Sequence, residues 1–272
     1  MAMNKAEPIF QPGSDDGAVT PGQSVTAWLT ASVLVGYCCT ALYAALNCRG
    51  LYADASHYLL KIAEKDYFHL YDPPRQSLQI LRQAAVVFLR RKTDMGLFEL
   101  GQVFSLSMLL LPTALCGLCW LILPSERKSW IIFPLLGLLA GVSASSFAAI
   151  GEGALAASYL WPLLFLFLFR VDRVVFQIGF LLACIPVFFL HEASFIFMFV
   201  FLFACVRKYL TVKTAAERGF AVLCVVLFLA IIVFEIRWII HPVNVVNRIG
   251  YTYELRRLGP DTGPVPLAQS PG

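Results

Sequence analysis

Residues 174–206 read VVFQIGFLLACIPVFFLHEASFIFMFVFLFACV. As one helix, Val174 to Val206 would be about 50 Å long, far beyond the roughly 30 Å hydrocarbon core of a bilayer. His191-Glu192 stands near the middle of the run. Two short apolar helices with a turn at that dipeptide satisfy both the length and the polarity. Polar turns bound the run: Arg170-Val171-Asp172-Arg173 before it, and Arg207-Lys208 through Arg218 after it.

The same alternation continues in both directions. Toward the N-terminus lie a short apolar run at about 155–169, the turn Gly151-Glu152-Gly153, and a span at about 130–150 with Trp130 at the interface. The tight charged turn Ser125-Glu126-Arg127-Lys128 comes next, then a span at about 103–123. The first span is about 25–46. Toward the C-terminus the last span is about 220–240, closed by His241-Pro242. The pattern predicts an all-α, polytopic transmembrane helix bundle of about seven spans. The shorter spans are expected to tilt, or to pack inside the bundle where the bilayer thins.

Composition agrees. The 272 residues are 59% hydrophobic and 14% charged, with mean hydropathy +0.73, which excludes an ordinary soluble domain. The net charge is +4, and no basic patch with interleaved aromatics suggests a nucleic-acid partner. Cys116 and Cys119 form a C-x-x-C in an apolar run without nearby histidines, and they read as small packing residues rather than as a redox or metal site. Residues 1–24 are rich in Gly, Pro, Ser and Asp and read as a disordered tail rather than a signal peptide. Residues 242–272 read as a second polar, disordered tail. The transmembrane domain is 25–241.

That domain includes one long polar interval, 47–100, the first extramembrane loop. Leu51, Ala55, Tyr58, Leu59 and Ile62 recur on one helical face, with Asp54, His57, Lys61 and Glu64 on the other. This segment is too short and polar to span. It suits a helix lying flat in the interface with its apolar face down. Tyr71-Asp72-Pro73-Pro74 breaks it. A second amphipathic run, Gln76 to Arg90, places Leu78, Leu81, Ala85 and Phe88 or Leu89 on one side and ends in Arg90-Arg91-Lys92.

Alternation sorts the turns into two groups. The turns near 127, 172 and 210 share a side with the N-terminus. The 47–100 interval, Glu152, His191-Glu192 and the C-terminal tail share the other. The first group carries Arg127, Lys128, Arg170, Arg173, Arg207, Lys208, Lys213 and Arg218, whereas the two tight turns of the second carry no Lys or Arg. By the positive-inside rule the first group is cytoplasmic. The interval carries as many cations, but the tight turns sit flush with the membrane, and the interval's cations are available to hold phosphate groups.

All four histidines fall in or beside the second group, with Asp54, Glu152 and Glu192. Ionisable residues at the ends of apolar spans are functional candidates. The candidate catalytic residues are Asp54, His57, Glu152, His191 and Glu192. The candidate substrate-binding residues are Arg75, Arg82 and His241. Each has a plainer role open to it: Asp54 a helix N-cap, Glu152 a solvated turn, His191-Glu192 the polar cap of a hairpin, His241-Pro242 a helix stop, and the arginines a face for anionic headgroups. No cofactor motif is present. A divalent metal would suit these residue types, but no His-Glu-x-x-His or comparable spacing supports one. Chemistry here would use a carboxylate as general base on an acceptor hydroxyl, with Arg or Lys on the phosphate of a lipid-linked donor.

A first span, a long polar loop with an early Asp, and many short spans resemble the membrane glycosyltransferases of the GT-C class. The resemblance rests on Gly50-Leu51-Tyr52-Ala53-Asp54 through Tyr58, with weaker echoes at Gly151-Glu152-Gly153, Leu160-Trp161-Pro162 and His191-Glu192. It covers about residues 25–241 and is one of layout. It implies a sugar taken from a polyprenyl-phosphate donor on the non-cytoplasmic face, in envelope polysaccharide or glycolipid assembly at a bacterial inner membrane. The N-terminus would then be cytoplasmic and the 47–100 loop periplasmic. Asp54 would be the base near the acceptor, and Arg75 or Arg82 would contact the donor phosphate. The chain has no acidic pair beside Asp54, fewer spans than the class usually has and no soluble acceptor-binding domain, so it reads as a shortened relative. Two other classes fit: a transporter or channel, for which Glu235 and Arg237 late in the last span are the charged candidates, and a non-catalytic membrane scaffold of polysaccharide export.

Overall fold

Apolar runs bounded by charge produce helices throughout. The structure, a computed structural model, describes residues 21–51, 54–70, 73–142 and 152–240. His241 and the two expected tails, apart from residues 21–24, lie outside the described residues. No strand occurs among the described residues.

The helices are α1 Pro21–Leu46, α2 Asp54–Lys65, α3 Gln76–Lys92, α4 Leu97–Ile122, α5 Ile132–Gly137, α6 Glu152–Phe169, α7 Val174–Cys184, α8 Phe195–Thr211 and α9 Ala215–Ile240. Three segments are long and apolar enough to cross a membrane: Ser24–Leu46, Leu97–Ile122 and Ala215–Ile240. Leu155–Phe169 and Val174–Phe189 are shorter apolar helices. The three long helices are compatible with an integral membrane protein.

The opening stretch is broken where its polarity breaks. α7 tightens into a 3-10 turn, Ile185–Phe189, at Pro186, which has no N–H to continue an α-helix. His191 is extended (φ −173°), and a second 3-10 turn, Glu192–Ser194, leads into α8.

α4 is the hub. It packs against α1, α3 and α6. Gly101 of α4 lies under Leu51, Leu59 and Cys48; a Cβ there would stand 2.8 Å from Leu51 Cδ1. α6 to α9 share a core of interlocking rings, with centroids of Phe167 and Phe180 5.3 Å apart and of Phe201 and Phe228 4.9 Å apart. The exterior is apolar as well: Trp28, Val175 and Leu210 are each more than 70% exposed, as suits side chains turned toward lipid.

The 47–100 interval departs from the sequence expectation in two ways. The apolar face of α2 is the expected one, but it is buried in protein rather than laid on the interface. Ala55, Tyr58, Leu59 and Ile62 pack with Val86 and Val87 of α3 and with Leu100 and Phe104 of α4. α3 does not keep its apolar side together. Its buried residues are Leu78, Gln79, Arg82, Gln83, Val86 and Val87, while Ile80, Leu81, Ala85 and Phe88 are exposed. The expected apolar side is thus split: Leu78 is buried, and Leu81, Ala85 and Phe88 are exposed.

Candidate functional site

The two ends of α4 define two ends of the molecule, about 39 Å apart at 1.5 Å per residue. One end holds Arg170, whose Nε donates to Ile122 O at 2.7 Å, and the turn at Ser125–Ile131. The other holds the last turn of α1, where Gln102 Nε2 donates to Leu46 O, together with α2 and α3. α3 also packs against α6 and against the Ile185–Phe189 turn, and the Glu192–Ser194 turn packs against α9. Phe188 and Phe189 meet Phe234 of α9 with ring centroids 5.7 and 5.4 Å apart.

At this end α2 and α3 hold a polar knot. The Arg82 guanidinium is fully buried and lies over the Tyr58 ring, 5.2 Å from its centroid. Gln79 Nε2 donates to the Tyr58 hydroxyl at 3.4 Å. Gln83 grips the link between the helices at one residue: its Oε1 accepts from His69 N at 2.7 Å and its Nε2 donates to His69 O at 2.8 Å. The His69 ring stands edge-on to His57, centroids 5.2 Å apart, and 5.7 Å from Tyr58. Burial lowers the His69 pKa from its ordinary value of 6.5, and the neighbouring His57 lowers it further.

The link is locked a second time at Asp66, which ends α2 in a left-handed conformation (φ 51°). That conformation costs a non-glycine residue about 1 kcal/mol or more. Two α3 arginines hold it there: Arg90 Nε donates to Asp66 Oδ1 and Arg91 Nε to Asp66 O, both at 2.7 Å. Lys61 bonds Glu64 at 2.9 Å on the exposed face of α2 and lowers that carboxyl's pKa.

The predicted site residues are distributed as follows. Asp54 is the first residue of α2, Glu152 the first of α6, and Glu192 the first of its 3-10 turn. His57 is exposed on α2 and joins Arg82 through Tyr58 and His69. Arg75 is half-buried in the turn Pro73–Arg75, which packs against Ile185–Phe189. His191 caps its own turn: Nδ1 accepts from Ala193 N at 3.0 Å, so any proton this ring exchanges without breaking the cap sits on Nε2. Among the described residues, no group of three or more His, Cys, Asp or Glu side chains converges as a metal-ligand set.

Tyr58, His69, Gln79 and Gln83 did not enter the sequence reading as site residues. Their signal was there: Gln79, Arg82 and Gln83 form one stripe at helical spacing, opposite Ile80, Leu81 and Phe88. Glu235, the late-span carboxylate, is buried (1% exposed) in α9, whereas Arg237 is exposed.

Chemically, a buried guanidinium lying over an aromatic ring suits a phosphate or carboxylate oxygen. Its donors form a rigid fork, and the low local dielectric strengthens each charge-assisted bond. Compared with known proteins, the chain matches no family model, no curated protein and no solved structure.

Proposed function

We propose that the chain is an integral membrane glycosyltransferase of about seven spans and GT-C-like layout. It takes a sugar from a polyprenyl-phosphate-linked donor at the α2–α3 end, in envelope polysaccharide or glycolipid assembly. The observation that carries this reading is Arg82: a cation fully buried on Tyr58, between Gln79 and Gln83, in a helix that packs on both α6 and the turn before His191. Holding a guanidinium out of water is costly, and a site for an anionic group gives that cost a use. Arg82 and Arg75 hold the donor phosphate, and His241 contributes to substrate binding. Asp54 is the general base on the acceptor hydroxyl, a role that contributes about 10²–10⁴-fold in rate. His57, Glu152, His191 and Glu192 are the further acid–base candidates. The N-terminus is cytoplasmic and the α2–α3 end periplasmic, in a bacterial inner membrane. A transporter is the second reading, favoured by the buried Glu235 in the most apolar of the three long helices.

The test is lipid binding by the full chain in nanodiscs, comparing a polyprenyl phosphate with the corresponding polyprenol. The phosphate form should bind at least about tenfold more tightly, since a charge-assisted bond contributes about 1.5–3 kcal/mol. Arg82→Lys should lose part of that preference, and Asp54→Asn should fold and lose sugar transfer. Equal affinity for the phosphate and the alcohol would overturn the reading.

A further inference from the structure

We infer that α3 is a lipid-facing wall: its outward face lies against the acyl-chain and headgroup boundary of an anionic bilayer, while its inward face forms the Arg82 site. The inference rests on the membrane part of the proposed function and does not need the donor assignment.

The outward face reads Ile80, Leu81, Ala84, Ala85 and Phe88, all exposed, with Phe88 at 62%. Arg91 and Lys92 follow on the same face, one turn further on, and both are exposed. The inward face carries Gln79, Arg82 and Gln83, all fully buried. A helix in water buries its apolar stripe and exposes its charges. Here Gln79, Arg82 and Gln83 are buried beside Leu78, Val86 and Val87, while the exposed face is apolar and ends in cations, which is the order an anionic membrane surface requires: acyl chains for the apolar stretch, headgroups for Arg91 and Lys92. The surface continues past the helix. Leu97 and Phe98, at the start of α4, are 48% and 63% exposed, and the exposed Tyr67 carries Arg91 over its ring at 4.9 Å, an aromatic–cation pair suited to the headgroup level. α3 is thus one helix thick between hydrocarbon and a buried guanidinium. A lipid-borne anion moving along Leu81 and Phe88 would reach Arg82 without crossing bulk water.

The test is depth measurement by spin labelling of the full chain in vesicles containing anionic lipid. Cys38, Cys39 and Cys48 are replaced; the other five cysteines are buried and stay in place. Labels go on Ala84→Cys and Phe88→Cys, on Lys92→Cys, on Leu29→Cys as the lipid-facing control in α1, and on Glu64→Cys as the water-facing control in α2. Labels at 84 and 88 are expected to collide with oxygen in preference to a water-soluble nickel chelate, in the same ratio as the label at 29. The label at 92 should match the headgroup or water pattern. Labels at 84 and 88 that behave like the label at 64 would overturn the inference. So would labels that are immobile and shielded from both colliders, since a protein partner would then cover the face. A label at 29 that reads as water-exposed would overturn the membrane reading itself, and this inference with it.

Discussion

The two ends of α4 use cations in opposite ways. At its carboxyl end, Arg170 donates to Ile122 O and the Lys128 ammonium donates to Trp120 O while lying 4.7 Å from the Trp120 ring centroid. The last carbonyls of a helix have no intrahelical donor, and the helix dipole places negative potential there. These cations are caps. Burial, and then the neighbouring Arg170, lower the Lys128 pKa. At the other end, Arg82 sits in mid-helix, where every backbone group is already satisfied by the helix, and lies on a tyrosine ring among amides. The cations at the carboxyl end answer the helix end they cap, whereas Arg82 lies against side chains of the α2–α3 knot. The difference also bears on membrane orientation. Lys128 and Arg170 count toward the positive side of the bundle, yet both are engaged in capping, so the exposed Arg173 and Lys213 are the cleaner topological signals.

The sharpest way to break this comparison is to exchange each cation for methionine. Arg82→Met should fold, because an apolar side chain of similar volume replaces a buried charge at little or no cost in stability. It should lose polyprenyl-phosphate binding by about 30-fold, the low end of the roughly 2–5 kcal/mol seen when a buried charge partner is removed. Arg170→Met should do the reverse, keeping binding and losing about 1–3 kcal/mol of stability through the missing charge-assisted bond, read as a lower Tm in detergent. If Arg82→Met is instead the unstable variant and binds normally, Arg82 is a structural cation like Arg170, and the contrast between the ends disappears.

A smaller effect separates the packing at the two ends. Gly101, near the start of α4, would place a Cβ 2.8 Å from Leu51 Cδ1, 3.5 Å from Leu59 Cδ2 and 3.6 Å from Cys48 Sγ; Gly117, near the other end, has nothing within 4 Å. Both substitutions to alanine gain up to about 1 kcal/mol of helix propensity. Only Gly101→Ala must also push Leu51 aside, so it should come out about 1 kcal/mol less stable than Gly117→Ala and should speed labelling of Cys48 by thiol reagents. Equal stability and unchanged Cys48 labelling would show that the Arg49–Leu51 turn is not held by α4.

What the sequence made legible follows from what the bilayer does to residue statistics. Apolar runs as long as Leu97–Ile122 and Ala215–Ile240 report helices directly, since no other element could satisfy their backbone in lipid. The break at His191 was legible because the run is too long for one span and two polar residues stand near its middle. Which residues form the apolar face of α2 was legible, but not what covers it: α3 and α4 do, where the expectation was the membrane interface. For α3 the periodicity alone did not say which side is buried: Leu81 and Phe88 are exposed, whereas Gln79 and Gln83 are buried beside Leu78, Val86 and Val87. The knot itself was not legible. Gln83 bonding the backbone of His69, and Arg82 lying over Tyr58, are contacts across a proline-broken link, and periodicity within one helix carries no information about them.

The weakest of these contacts offers the last test, because it titrates. His69 is held at its backbone by Gln83, and its ring faces His57 from α2; Lys61, Glu64 and Lys65 of the same helix are the other charges acting on it. Burial, and then the His57 charge, depress its folded pKa below the ordinary 6.5. A depressed histidine contributes stability that is fully present above the ordinary pKa. That stability is lost as pH falls from about 6.5 toward the folded value, because the opened lobe takes up a proton that the closed lobe resists. Hydrogen exchange in α2 and in the link to α3 should therefore quicken between pH 7.5 and pH 5.5, relative to exchange in α8 and α9 at the same pH. His57→Gln removes the like charge, so the acid-induced quickening should shrink. If the α2–α3 lobe exchanges no faster at pH 5.5 than the α8–α9 pair does, or if His57→Gln enlarges the effect, then the two imidazoles are not coupled in the way their 5.2 Å separation implies.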